Sequence, residues 1–317
     1  NGIVVKMSGG LGNQMFQYSL YALLRDRFPE TEVKADVTWF RTNSEHQGYE
    51  LKRIFGRADN PLFHLDEASA VDILCVRGTI PCMISGKNAK KAENILYYPN
   101  RILRLFTEKH FEKYRIEQTG FEDNEEIYRK IETINPRKNW YITGFFIEEV
   151  YYRDRIAKLR RELLFDQGGG DAFQRMLHEI RSTNSVSIHV RRGDYLAEKY
   201  RNSFLCLSDE YYKKAVEYIC ERVKDPVFYV FSDDTEYVQK AFTWLSDYRV
   251  VEGNTGKDSY RDMQLMSECH HNILANSTFS VWGALLNDSE DAIVVYPKAY
   301  MREKDSEIKT IRGWVRI

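Results

Sequence analysis

The chain has 317 residues, 43% of them hydrophobic and 29% charged, the make-up of a folded globular protein and not of a disordered one. That length accommodates two ordinary domains or one large α/β unit. A formal net charge of −1 supplies no global basic field, so no nucleic-acid partner is expected.

Ile3-Val-Val-Lys-Met7 reads as a buried strand. Ser8-Gly-Gly-Leu-Gly-Asn-Gln14 follows, and then a helical pattern with Phe16, Leu20, Leu23 and Leu24 on one face. Strand, glycine-rich loop and helix open an α/β nucleotide-type unit, in which glycines let backbone N–H groups approach an anion. The spacing is neither Walker A nor G-x-G-x-x-G, so alone it reads equally as a tight turn and as a ligand contact. Glu32–Val37 is a second strand. From Arg41 to about Glu93 no period is clear, and Gly86-Lys-Asn-Ala-Lys-Lys-Ala92 reads as a basic, solvated loop. Asp123–Glu132 reads as a surface helix. Trp140–Val150 ends in a strand-like run that closes the first domain. The predicted domains are 1–155 and 156–317, although Asp166-Gln-Gly-Gly-Gly-Asp171 is the most linker-like punctuation.

The second half alternates strand and helix. Ser185-Val-Ser-Ile-His-Val190 is a buried strand that runs into Arg191, Arg192 and Asp194, with Gly193 permitting a sharp turn. Tyr212–Val223 carries a helical stripe and stops at Asp225-Pro226. Val227–Ser232 is a continuous apolar strand ending in Asp233-Asp234. Arg249–Glu252, His271–Ala275 and Ala292–Tyr296 are further strands. Asp258–Cys269 is a helix with Met263 and Met266 inward, and Ser277-Thr278 caps another through Leu286. This rhythm predicts a parallel, doubly wound sheet, with His189–Asp194, Asp233 and Ser277–Ser280 at the strand C-terminal ends where ligands bind.

Adjacent guanidiniums repel unless anions lie near them. Asp194 balances one, and a phosphate-bearing ligand would balance the other. Because successive side chains leave in different directions, one arginine should face the phosphates and the other brace the loop, with Arg192 favoured as the phosphate-facing one. Asp233 suits the paired N–H donors of a guanine edge, while Asp234 suits a helix cap. An Asp-x-Asp metal site is the rival reading of that pair, but a metal would make the arginines redundant. His189 reads either as a packed histidine or as a ligand contact. His270 and His271 read as structural.

The cysteines, Cys75, Cys82, Cys206, Cys220 and Cys269, form no C-x-x-C pair, which speaks against zinc and for a reducing compartment. No apolar run approaches the roughly 18–20 residues of a membrane span, and the apolar start is too short for a signal peptide. A cytoplasmic protein without a transmembrane segment is expected, with peripheral attachment at the inner face of the membrane left open.

His189-Val-Arg-Arg-Gly-Asp194 resembles the H-x-R-R-x-D signature of α1,2- and α1,6-fucosyltransferases and protein O-fucosyltransferases. Together with Gly9-Gly-Leu-Gly-Asn-Gln-Met15, Phe231-Ser-Asp-Asp234 and Ala275-Asn-Ser-Thr-Phe-Ser-Val-Trp282, it resembles the bacterial α1,2-fucosyltransferase family in order and spacing. Val281 stands where that family usually has Trp. The resemblance implies a GT-B α/β fold of two Rossmann-like domains facing a central cleft, the first on the acceptor side and the second binding the donor. It implies inverting transfer of L-fucose from GDP-β-L-fucose to the 2-hydroxyl of a β-galactoside, on an oligosaccharide or a glycolipid-linked acceptor, with no metal or other cofactor. Carried onto this sequence, it makes Arg191, Arg192, Asp194 and Asn13 catalytic. Gly10, Gly12, His189, Asp233, Ser277, Thr278 and Ser280 become donor contacts. Asp194 and Glu198 lie where a general base belongs, without a choice between them. An α1,6 linkage, and a non-catalytic glycan- or nucleotide-binding protein, are the alternatives.

Overall fold

The computed structural model describes residues 2–43, 45–119, 124–196, 205–298 and 311–317. The chain divides into two compact units, Asn1–Leu164 and Phe165–Ile317.

The first unit contains β1 (Gly2–Lys6), α1 (Leu11–Arg27), β2 (Glu32–Asp36), α2 (Trp39–Thr42), α3 (Leu51–Phe55) and α4 (Ala70–Arg77). It continues through α5 (Ala89–Glu112), β3 (Arg115–Glu117), α6 (Asn124–Glu132), β4 (Trp140–Thr143) and α7 (Ile156–Glu162). Its sheet runs β2-β1-β4-β3, parallel throughout. Helix α1 departs from the one-faced pattern of the sequence: it is buried on nearly all sides, Gln14, Gln17 and Ser19 included, whereas Leu23 is only half-buried.

The division after Leu164 lies beyond the predicted boundary because α7 belongs to the first unit. Leu159 is fully buried. Buried Glu162 accepts from Tyr18 Oη (3.2 Å) and pairs with Arg25 (3.1 Å), both on α1. Two further expectations are corrected. Trp140–Val150 forms its strand at the start and not the end, because Gly144 (φ +155°) and Phe146 (φ +56°) turn the chain away. The stretch read as a basic loop is a short 3₁₀ turn, Gly86–Asn88, leading directly into the 24-residue α5.

The second unit contains α8 (Asp171–Ser182), β5 (Asn184–Val190), α9 (Asp209–Cys220), β6 (Pro226–Ser232), α10 (Thr235–Ala241) and β7 (Tyr248–Val250). It ends with α11 (Tyr260–Glu268), β8 (His271–Ile273), α12 (Thr278–Leu286), β9 (Val294–Tyr296) and β10 (Val315–Arg316). The parallel sheet runs β10-β9-β8-β5-β6-β7. Strand β6 shows why its sequence is apolar without alternation. Phe228 and Val230 enter the core beneath α9 with Tyr212 and Ile219, while Tyr229 and Phe231 enter the opposite core with Leu177 and Met266. A strand covered on both faces has no polar side to display. Asp166 does not open a free linker, for its carboxylate accepts from Arg261 (2.7 Å) and Tyr260 (3.0 Å) of the second unit.

Candidate active site

Central strand β5 delivers the motif residues. It pairs in register with β6, so that Val190 lies beside Ser232 and both chains leave the sheet at the same level. Ser232 Oγ donates to Val190 O (2.8 Å) and accepts from Asp234 N (3.0 Å), which fixes the two strand ends against one another.

Beyond those ends the acidic pair of one strand meets the basic pair of the other. Asp233 Oδ1 accepts from the Arg192 backbone N–H (2.9 Å), and Asp233 Oδ2 lies 3.0 Å from Arg191 Nη1. Asp234 caps α10 by accepting from Tyr237 N (3.0 Å), and its other oxygen lies 3.6 Å from Arg192 Nε. The Arg192 guanidinium stacks 3.6 Å from the centroid of the Tyr237 ring, a cation–π contact. Tyr237 Oη in turn donates to Asp209 (2.6 Å); burial and that carboxylate push the phenol up to about 12, so the ring under Arg192 stays neutral. Among the described residues the Arg192 guanidinium makes no hydrogen bond, and Nε is buried without one. The side chain is therefore positioned from below and beside, while its fork has donors to spare.

Asp233 and Asp234 thus each pair with one of the arginines, partners that the sequence reading had not assigned to them. The side chain of Asp194 and the whole of Glu198 lie outside the described residues; the Asp194 backbone opens a 3₁₀ turn through Leu196. In that turn Tyr195 donates to Asn276 O (2.8 Å), tying the loop to the approach of α12. Gly193 is not in the left-handed region. A Cβ there would stand 2.9 Å from Asp233 Oδ2, so the residue is needed for close approach and not for a sharp turn.

His189 is buried at the end of β5. Its backbone carbonyl accepts from Tyr212 (3.0 Å), its ring lies 5.8 Å from that of Phe279, and its Nδ1 is buried without a hydrogen bond among the described residues. Burial first, then the Arg191 charge, hold the imidazole well below its ordinary range, against an opposing pull from Asp233. Both causes favour the neutral ring over the cation. An unfolded imidazole takes up a proton below about pH 6.5. The unfolded state therefore binds more protons there, and stability falls as pH falls. The melting temperature is expected to drop more steeply below about pH 6.5 in the wild type than in His189→Gln. Parallel profiles would show that His189 is not held neutral.

At the start of α12, Ser277 accepts from Phe279 N (3.3 Å), and Thr278 is half-buried. Ser280 is fully buried, and its hydroxyl donates to the carbonyl of Ala275 or Ser277, bracing the turn that leads into α12.

In the first unit the glycine-rich loop follows β1. Gly9 has φ +78°, and a Cβ there would meet the Asn13 side chain at 2.7 Å. Gly10 is the N-cap of α1. Asn13 is half-buried, and its amide makes no hydrogen bond among the described residues. Gly12 is buried in the first turn of α1, among the backbone N–H groups that have no partner within the helix. Sequence reasoning missed what holds the loop. Buried Gln14 bonds Gly9 O (2.9 Å), Gly48 O (2.8 Å) and Glu50 N (2.9 Å), and Gln17 bonds Ser8 N (2.8 Å) and Gly144 O (2.9 Å). It also missed Tyr212 and Tyr237, which lie on helices α9 and α10, and Tyr195 in the loop after β5; nothing local reveals their roles. Thus His189, Arg191, Arg192, Asp233 and Asp234 assemble in the second unit, with Ser277 and Thr278 on the adjoining β8–α12 connection. Gly10 and Asn13 are carried by the first.

Two successive parallel α/β units, with charged residues gathered beyond the strand ends, have the organisation of the GT-B fold. The chain belongs to glycosyl transferase family 11, whose model matches residues 80–317. It is similar to the alpha-1,2-colitosyltransferase of Escherichia coli, at 31% identity over 99% of this chain and 98% of that one. It is similar as well to the O-antigen biosynthesis glycosyltransferase WbnK of Escherichia coli, at 28% over 98% and 99%. Among solved structures the fold matches fucosyltransferase NodZ from Bradyrhizobium, with a TM-score of 0.50, 12% identity and coverage of 90% and 92%.

Proposed function

We propose that this glycosyltransferase moves L-fucose from GDP-β-L-fucose to the 2-hydroxyl of a β-galactoside, with inversion and without a metal ion. The observation that carries the reading is the state of Arg192, held by Tyr237 and Asp234 while its fork retains unengaged donors. A guanidinium fork matches phosphate oxygens, and its contact strengthens as charge develops on the departing diphosphate. In this reading the second unit binds the donor and the first serves the acceptor. The guanine edge meets the Asp233–Asp234 pair. Among the described residues Asp234 Oδ2 accepts no hydrogen bond, whereas each Asp233 oxygen already serves the arginine loop. The acceptor hydroxyl gives its proton to a carboxylate of the stretch containing Asp194 and Glu198 as its oxygen attacks the anomeric carbon.

A second reading concerns the donor, because a full-length relative is named for colitose, which lacks the 3-hydroxyl of fucose. The deciding experiment offers GDP-fucose and GDP-colitose, each with a lactose-type acceptor, and follows GDP release and product linkage by NMR. Faster turnover of GDP-fucose into an α1,2-linked product is expected. Preference for GDP-colitose would transfer the assignment, and no transfer from either would sink both readings. Turnover should also survive excess EDTA, since the Arg192 fork is placed to meet the diphosphate in place of a metal ion. Loss with EDTA and recovery with magnesium or manganese would revive a metal-binding role for Asp233-Asp234.

A further inference from the structure

Helix α5 is an unusual element for a water-facing surface. Along its 24 residues only Ala89 is buried. One side, formed by Ala92, Leu96, Asn100, Leu103, Thr107 and Phe111, is half-buried against the unit. The other displays Ile95 (66% exposed), Tyr98 (69%), Ile102 (58%), Leu105 (78%) and Phe106 (83%), at the three- and four-residue spacing that aligns them in one stripe. Asn100 holds the chain beside the helix through Ile80 N (2.6 Å) and Ile80 O (3.0 Å), and that segment adds exposed Ile80, Met83 and Ile84. Single exposed apolar residues are ordinary, but a continuous row on one helix marks something that covers it.

Charge decides what that is. Between Lys87 and Lys113 there are seven Lys and Arg against three Glu, an excess of four positive charges in a chain whose formal charge is −1. Lys91 and Lys109 flank the stripe at its two ends, and Tyr97, Tyr98 and Phe106 supply the aromatic rings favoured at a lipid–water interface. An apolar face edged with basic side chains is the pattern of a helix lying in the plane of an anionic bilayer. A second copy is disfavoured by the same excess, since self-pairing brings like-charged helices together. None of the helices among the described residues is long and apolar enough to cross a membrane, so attachment through α5 would be at the surface.

We propose that α5 is a membrane-docking surface that seats the enzyme on anionic phospholipid. This would hold the protein where a lipid-linked acceptor is presented, but the binding itself does not depend on the donor or acceptor assignment. The test is co-sedimentation with vesicles of phosphatidylethanolamine and phosphatidylglycerol, against vesicles of phosphatidylcholine alone, with no substrate present. The full chain is expected to bind the anionic vesicles and to release as salt is raised. In the double variant Ile102→Glu, Phe106→Glu, vesicle affinity should fall by at least about a hundredfold. Its melting temperature and its turnover on a soluble acceptor should stay at wild-type values, because both side chains face outward. A second variant, Lys91→Gln with Lys109→Gln, should weaken binding to the anionic vesicles only. Absence of binding by the wild type, or unchanged binding by the double variant, would overturn the proposal. So would a wild-type dimer in light scattering that the double variant converts to monomer without vesicle binding, for then a second copy covers the stripe.

Discussion

Turnover at saturating donor is expected to fall on the order of a hundredfold or more in Arg192→Lys, the loss typical of removing one prepositioned donor to a developing negative charge. Lysine keeps the charge but loses the planar fork and its fit to the Tyr237 ring. The guanidinium makes no hydrogen bond that holds the fold together among the described residues, so the melting temperature should barely move. Arg191 is placed differently. Its Nη1 is clamped to Asp233, which also receives the Arg192 amide, so Arg191→Lys should lower the melting temperature and disturb turnover indirectly. Melting curves and single-turnover rates for the two variants, measured together, separate these roles. If both turn over at near wild-type rates, this pair does not stabilise the leaving group and the proposed mechanism falls.

The second large effect is expected from the smallest substitution. In Gly193→Ala the new methyl would stand 2.9 Å from Asp233 Oδ2 and 3.1 Å from its Cγ. That carboxylate cannot swing away cheaply, because each oxygen is engaged, one by Arg192 N and the other by Arg191. Either the acidic pair or the arginine loop must shift by some tenths of an ångström. Misplacement on the order of 1 Å costs about a hundredfold in a positioned reaction, and forced overpacking costs about 1–3 kcal/mol of stability. Gly170→Ser is the matched control: nothing lies within 4 Å of a Cβ there, its φ is −70°, and serine adds an N-cap oxygen to α8. Equal turnover in the two variants would show that the Gly193–Asp233 approach has no bearing on the chemistry.

The strands that carry the site were legible in the sequence because their signals are local. β6 is an apolar run and β5 an alternating one, each followed by charged residues, and Ser277 stands where a helix needs a cap. The C-terminal end of such a strand is where the chain can first place charged groups, so periodicity and punctuation located both. Only the tertiary structure decided which charges meet. Asp233 lies 41 residues from the Arg192 amide, and it meets the arginine loop because register between β5 and β6 brings the two strand ends level. The same holds for α7, which joined the first unit through Glu162 and α1 across a separation of more than a hundred residues. Helix α5 was hidden for the opposite reason. Pro99 interrupts its pattern, and apolar residues lie on both its inner and its outer side. A sequence records that a residue is apolar, but the side of the helix that meets protein is fixed only when the rest of the unit packs against it.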